Sequence, residues 1–379
     1  MTLIDPVELT RDLVRRPSVT PANAGAMEIV EQALTGLGFT CRRMKFGDIE
    51  NLYARRGLQG PNLCFAGHTD VVPVGDAGAW NQGPFEAAIA EGVLFGRGAV
   101  DMKSGIAAFI GAVSRYLENG EPRGSISLLI TGDEEGDATH GTKKVVEQLI
   151  AEGERVDHCV VGEPTSSVVF GDMIKIGRRG SINTQITVEG VQGHVAYPQR
   201  AANPIPVLVR LLAALQGHVL DGGYTGFPAS NLEITTVDVG NPTTNVIPAQ
   251  AKARCNIRFN PSHTGAALAA WIDGECAKAA EGFNGTVKAT HQISGESFLT
   301  EPGDFTSLVA GAVRDVAGRE PELSTSGGTS DARFIRALCP VVEFGLVGTT
   351  MHAVDERAPV SEIQKLSKVY ETLIERYFA

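Results

Sequence analysis

Two histidines and five acids stand where metal or proton chemistry would need them. His68 and Asp70 follow an apolar run at 63–66, and Asp101 follows 93–98 and precedes a helix-like segment. Glu134 and Glu135 follow 126–130, Glu163 follows 159–161, and His352 lies beyond 341–346. Imidazole and carboxylate without thiolate suit Zn²⁺, or Co²⁺ or Mn²⁺ as substitutes, rather than copper(I) or an iron–sulfur cluster. One acid behind one strand is ordinarily a helix cap or a solvated turn. Independent caps have no reason to recur at the same end of successive strands, so the set reads as a metal site.

Charge then sets the number of ions. Asp101, Glu135 and Glu163 bring three negative charges, two divalent ions bring four positive ones, and a hydroxide closes the balance. A single ion would leave an anionic cluster. Asp101 lies centrally in the order of these residues and is the expected bridging carboxylate. Asp70, two residues from His68, falls on the same side of an extended segment. It is expected to accept the N–H of the far imidazole nitrogen and so fix the tautomer. Glu134 and Glu135 are neighbours and point apart. One can ligate while the other removes a proton from water, which two ions about 3.5–4 Å apart would acidify.

These side chains need a frame. Strand-like runs at 62–66, 125–130, 158–161 and 341–346 alternate with helix-like stretches at 105–117, 143–151 and 305–316. The alternation predicts an α/β fold, a mixed sheet flanked by helices. In such open sheets, ligands bind in the crevice outside the carboxyl ends of the strands. The middle of the chain differs. Strands at 182–189, 231–239, 249–259 and 286–293 and helices at 203–216 and 263–280 follow the order β-α-β-β-α-β. That is the pattern of a ferredoxin-like α+β module, and strict apolar–polar alternation over 249–259 marks a strand with one wet face. Gly, Ser and Pro cluster near 177–180 and 294–302, where hinges are expected. The predicted division is a catalytic domain of residues 1–178 plus 295–379, with 179–294 inserted.

With 379 residues, the chain has room for one large domain or two unequal ones. Lys plus Arg number 33 against 44 Asp plus Glu, and the net charge of −11 argues against a nucleic-acid-binding surface. Hydrophobic residues at 43% exclude global disorder. The most apolar stretch, 205–215, is interrupted by Arg210 and falls short of the roughly 20 residues a bilayer needs. Asp5, Glu8, Arg11 and Asp12 stand where a secretion signal would be uncharged, so none is expected. The six cysteines are scattered without a C-x-x-C pair, as expected of reduced thiols in a cytoplasmic protein.

Several motifs are long enough to compare with a known family. Gly67-His68-Thr69-Asp70-Val71-Val72-Pro73, the segment from Gly96-Arg97-Gly98 through Asp101-Met102-Lys103-Ser104-Gly105, Asp133-Glu134-Glu135-Gly136 and Gly162-Glu163-Pro164-Thr165 resemble the dinuclear zinc aminoacylase and carboxypeptidase hydrolases. Gly177-Arg178-Arg179-Gly180-Ser181, Gly193-His194-Val195-Ala196-Tyr197-Pro198, Ser326-Gly327-Gly328-Thr329-Ser330-Asp331 and Val342-Glu343-Phe344-Gly345 closely resemble the branch acting on N-succinyl-LL-diaminopimelate. The resemblance covers nearly the whole chain. Residues 346–350 depart from the pattern beside His352 but spare it.

The resemblance implies two Zn²⁺ per subunit, one on His68, Asp101 and Glu163 and the other on Asp101, Glu135 and His352. It implies Glu134 as general base, Asp70 as second catalytic acid and a cis Asp101–Met102 bond. It further implies that the inserted domain is a dimerisation or lid domain of a homodimer. His194 would there reach the partner's active site and stabilise the tetrahedral oxyanion. The reaction it implies removes succinate to give LL-diaminopimelate, a precursor of lysine and cell wall. Arg178, Arg179 and Arg258 would hold substrate carboxylates, and Ser181, Tyr197, Asn245, Gly328 and Thr329 would add hydrogen bonds.

Three rival readings are weaker. The same scaffold could act on acetylornithine, another N-acyl-amino acid or a dipeptide, but the Arg-Arg hinge and the Gly-Gly-Thr-Ser-Asp segment favour the succinyl substrate. A non-catalytic metal binder would need only one of Glu134 and Glu135. Gly96-x-Gly98 lacks the third glycine of a dinucleotide fingerprint, and 327–330 lacks the P-loop lysine, which disfavours nucleotide or phosphoester chemistry.

Overall fold

The computed structural model describes residues 3–379. Its largest sheet has eight strands in the order Thr40–Phe46, Ile49–Arg56, Ser125–Thr131, Asn62–His68, His158–Val161, Val341–Glu343, Met173–Lys175 and Glu322–Ser324. Asn62–His68 is parallel to both of its neighbours, whereas Ile49–Arg56 runs antiparallel to Ser125–Thr131. The sheet is therefore mixed, as expected. Asn62–His68 and Ser125–Thr131 are buried at every position, which is how strands covered on both faces read.

The helix Lys103–Tyr116 begins two residues before the expected 105–117 and packs against Val360–Tyr377 and Pro6–Val14. Its first residue, Lys103, is fully buried, and its Nζ donates to Arg16 O at 2.8 Å. Behind the central strand, Phe65 stacks on Phe109 with ring centroids 4.5 Å apart, and both meet Tyr370 edge-on at 5.6 Å. The Tyr370 hydroxyl donates to Phe344 O at 2.6 Å, so this apolar cluster holds its polar atom satisfied.

The chain divides into two compact units, Met1–Ile176 with Thr300–Ser324 and Ser330–Ala379, and Gly177–Leu299 with Thr325–Thr329. In the second, Asn231–Asp238, Gln250–Phe259, Gly180–Glu189 and Thr286–Gly295 form an antiparallel sheet in that order. Helices Pro204–Gly217 and Gly265–Ala280 complete the β-α-β-β-α-β order. Ile182, Ile186, Leu211, Leu215, Ile257 and Ile272 anchor the core. Gln250–Phe259 alternates buried and accessible positions along its length.

The boundaries differ from the expected 178/179 and 294/295. Gly177–Arg178 pairs with Phe298–Leu299, so 177–180 and 294–299 of the hinge segments belong to the second unit and 300–302 to the first. Thr325–Thr329 joins it as well, because Thr325 Oγ1 donates to Gly226 O at 2.5 Å and Arg178 Nη1 donates to Gly328 O at 3.2 Å. No helix among the described residues is long and apolar enough to cross a membrane. All six cysteines are free, and only Cys41 is partly accessible.

Phe109→Ala removes the centre of the aromatic cluster and is expected to cost about 3–5 kcal/mol in urea unfolding. A midpoint unchanged from wild type would show that the cluster is not a principal support of the first unit.

Candidate metal centre

Five segments of the first unit converge. His68 closes its strand and is 1% exposed. Glu134 and Glu135 sit on the loop after Ser125–Thr131, and Glu163 comes two residues after His158–Val161. His352 follows the turn Gly348–Thr350 and takes a left-handed backbone, φ +60°. Asp101 departs from the expected scheme. The strand before it, Val93–Phe95, pairs with Ile89–Ala90 and Arg357–Pro359 in a small sheet of its own, so Asp101 lies at the start of the Lys103–Tyr116 helix rather than behind a strand of the large sheet. The Asp101–Met102 bond is cis. Two glycines allow close packing here: a Cβ on Gly105 would meet Gly162 O at 2.6 Å, and one on Gly162 would meet Phe65 Cζ at 2.5 Å.

Asp101 is the hub. Its Oδ1 lies 3.1 Å from His68 Nε2, and its Oδ2 lies 3.2 Å from His352 Nε2. Glu135 Oε1 is 2.9 Å from His352 Nε2, and Glu163 Oε1 is 3.7 Å from His68 Nε2. Ligand atoms of His68, Asp101 and Glu135 lie within 4.8 Å of one another, as do those of His68, Glu134 and Glu163. One carboxylate presenting each oxygen to a different imidazole is the arrangement a bridging ligand requires.

The structure corrects the expected role of Asp70 toward His68. His68 Nδ1 lies 2.9 Å from the Asp70 backbone carbonyl and 3.7 Å from its carboxylate. The chain leaves the strand at His68, so the alternation that would place both side chains together no longer holds. A carbonyl only accepts, so Nδ1 carries the hydrogen and Nε2 faces the cluster. The Asp70 carboxylate instead accepts the backbone N–H groups of Glu134 (3.2 Å) and Glu135 (3.0 Å). Asp133, which sequence reasoning missed, pins the same loop by accepting from Ala138 N (3.2 Å) and His140 N (2.9 Å). It opens the motif Asp133-Glu134-Glu135-Gly136, but residue type and spacing alone assign it no role.

Crowding sets the electrostatics. Burial alone would draw His68 down, but Asp101, Glu163 and Asp70 outweigh it and hold the imidazolium well above its ordinary range. Hydrogen bonds to Asp101 and Glu135 push His352 up to about 10. Burial raises Asp70 to about 6. It also raises Glu134 and Glu163 strongly, with Asp331 adding to Glu134 and Asp101 to Glu163. Asp101 opposes its own burial through the two imidazoles and stays low. Buried carboxylates this close together call for positive charge, and their imidazole and carboxylate donors fit a pair of divalent cations.

The remaining expected residues lie in the second unit and form two groups. Arg258 is the register partner of Ser181, and burial followed by the charge of Arg179 draws its pKa down. Arg179 Nη1 donates to Asn231 Oδ1 at 3.0 Å, and Ser181 Oγ accepts from Asn256 Nδ2 at 3.1 Å. Buried Arg178 donates to the carbonyls of Ser326 and Gly328, with Thr329 next on that loop. The other group is exposed: His194 Nδ1 accepts from Ala196 N at 3.0 Å, and its ring centroid lies 5.7 Å from that of Tyr197. The Asn245 carbonyl accepts from Val195 N at 3.2 Å.

The profile described as "Peptidase family M20/M25/M40" matches residues 64–376. Succinyl-diaminopimelate desuccinylase of Caulobacter vibrioides (strain NA1000 / CB15N) is 72% identical over 376 residues, covering 99% of this chain and 97% of that protein. The protein of the same name from Phenylobacterium zucineum (strain HLK1) is 70% identical and covers 99% of each. Among solved structures, an M20 family metallo-carboxypeptidase from Sulfolobus solfataricus superposes with a TM-score of 0.82 at 18% identity, covering 98% of this chain and 99% of that one. A dinuclear metal binding peptidase of the M20 family from Bacillus subtilis gives 0.75 at 18% identity, covering 97% and 96%. These two share the fold.

In chelator-treated protein, the contacts of His352 hold its pKa near 10, above the 6.5 of an unperturbed histidine. The stability they contribute is complete below about pH 6.5 and is lost as pH rises through about 10. Tm of the metal-free protein is expected to fall over that window, and His352→Ala to flatten the slope. Screening at this half-exposed ring keeps the effect small.

Proposed function

Because the chain belongs to peptidase family M20/M25/M40, we propose that it hydrolyses the amide of N-succinyl-LL-diaminopimelate to succinate and LL-diaminopimelate. The observation that carries this reading is the hub geometry of Asp101 with Glu134 beside it. The relatives named for this activity support the choice of substrate.

In this reading, His68, Asp101 and Glu163 hold one cation and Asp101, Glu135 and His352 the other. Both are zinc, with cobalt or manganese as substitutes. Bound there, the pair supplies Lewis-acid polarisation of the amide carbonyl and acidifies the attacking water. Glu134 takes a proton from that water and returns it to the leaving nitrogen. Burial and the neighbouring acids raise its pKa in the metal-free protein, and positive charge bound in the cluster would draw it back down. Asp70 fixes the loop that carries Glu134 and Glu135 by accepting their two backbone amides.

The second unit supplies recognition. Arg179 and Arg258 are like charges placed close together, a pairing that a substrate carboxylate relieves. Arg178, Ser181, Tyr197, Asn245, Gly328 and Thr329 contribute further hydrogen bonds to the substrate in this reading. Residues 179–294 pair two subunits in the cytoplasm, and His194 of one subunit stabilises the oxyanion formed in the other.

Two tests follow. Glu134→Ala is expected to retain bound metal while turnover falls by about 10²–10⁴; undiminished turnover removes Glu134 as the base. His194→Ala is expected to lose about 10²–10³ in kcat with metal content unchanged. Co-refolding the inactive Glu134→Ala and His194→Ala chains is expected to restore part of the activity, since mixed dimers hold one intact site. No recovery would count against exchange of His194 between subunits.

A further inference from the structure

The groups that hold Asp101 in place lie outside the cluster. Glu356 is fully buried, and its Oε1 accepts the backbone N–H of Val100 (2.9 Å) and of Asp101 (3.1 Å). Its Oε2 takes Arg97 Nη1 at 2.7 Å. Arg97, 2% exposed, turns Nη2 toward Pro73 O (3.3 Å) and His352 O (3.4 Å), and its guanidinium lies 5.3 Å from the Trp80 ring centroid. The backbone closes the same frame: Gly96 N donates to Glu356 O at 2.9 Å, and Phe95 pairs with Arg357. One ion pair, 259 residues apart in sequence, thus grips both the turn carrying Asp101 and the carbonyl of His352.

A buried ion pair is a poor source of net stability, because desolvating both charges offsets their attraction. An apolar pair of similar volume would cost less to bury. It would also leave the amides of Val100 and Asp101 without an acceptor and release the His352 carbonyl. The contacts therefore favour geometry over stability.

We propose that Arg97 and Glu356 are positioning residues that lock Asp101 and His352 into one frame and so preorganise the donor set of Asp101, Glu135 and His352. This rests on the two-cation reading above. Neither residue touches substrate or cation; both act through the donors they hold. Outer hydrogen bonds of this kind set about 10–100-fold in metal affinity.

The test is Co²⁺ titration of metal-free protein, read by visible d–d absorption and by metal retained after gel filtration. Glu356→Gln keeps an oxygen for the two amides and removes the charge facing Arg97. It is expected to weaken the second Co²⁺ about 10–100-fold. The first Co²⁺ should be affected less, and kcat should fall while KM stays within about twofold. Arg97→Lys keeps the charge but loses the fork between Glu356 and His352, and is expected to weaken the second Co²⁺ in the same direction. It carries the test should Glu356→Gln fail to fold. If both variants bind two Co²⁺ as wild type does and only Tm falls, the pair is structural and the proposal is overturned. A wild type that binds two Co²⁺ yet leaves N-succinyl-LL-diaminopimelate intact would overturn the substrate and leave this inference standing. A wild type that binds only one overturns both.

Discussion

Everything in the first unit answers to one constraint: several carboxylates are held within a few ångströms of each other, away from water. In a medium of low effective dielectric, they cannot all stay ionised without positive charge among them. The cluster resolves this by dividing its acids. Asp101 sits between two imidazoles and keeps its charge, while Glu134 and Glu163 are driven toward the protonated form. The sheet delivers these groups because its central strands end together, and the Phe65–Phe109–Tyr370 cluster packs behind the central one. Gly105 and Gly162 allow helix and strand backbones to approach to distances that any side chain would forbid.

Much of this could be read from the residues alone, because burial leaves a periodic trace. The central strands are unbroken apolar runs, and Gln250–Phe259 alternates along its whole length. Features made by tertiary pairing left no such trace. The hairpin Thr40–Phe46 and Ile49–Arg56 was not anticipated. Its charged residues satisfy one another, as in the 2.6 Å contact of Arg43 with Glu50, and their sequence resembles a solvated loop. Lys103 reads as polar but begins a buried helix because its ammonium finds a backbone carbonyl. Thr325–Thr329 joins the second unit through hydrogen bonds to Gly226 and Arg178. Asp70 fell in the right place with the wrong partner, since strand periodicity stops at His68. Glu356 had nothing to distinguish it: a single acid in a turn-rich stretch becomes meaningful only when Val100, Asp101 and Arg97 surround it.

Like charges are handled differently in the two units of a chain whose net charge is −11. The first concentrates acids around two imidazoles; the second sets Arg179 and Arg258 close enough to depress one of them.

The order of the segments along the polypeptide also bears on biosynthesis. His68, Asp101, Glu135 and Glu163 are all translated before the second unit begins at Gly177, whereas His352 follows it, together with the helix that supplies Tyr370. On a growing chain these acids therefore emerge without His352 and without Tyr370 throughout synthesis of the intervening module. The set is complete only once His352 and the helix that carries Tyr370 have been made.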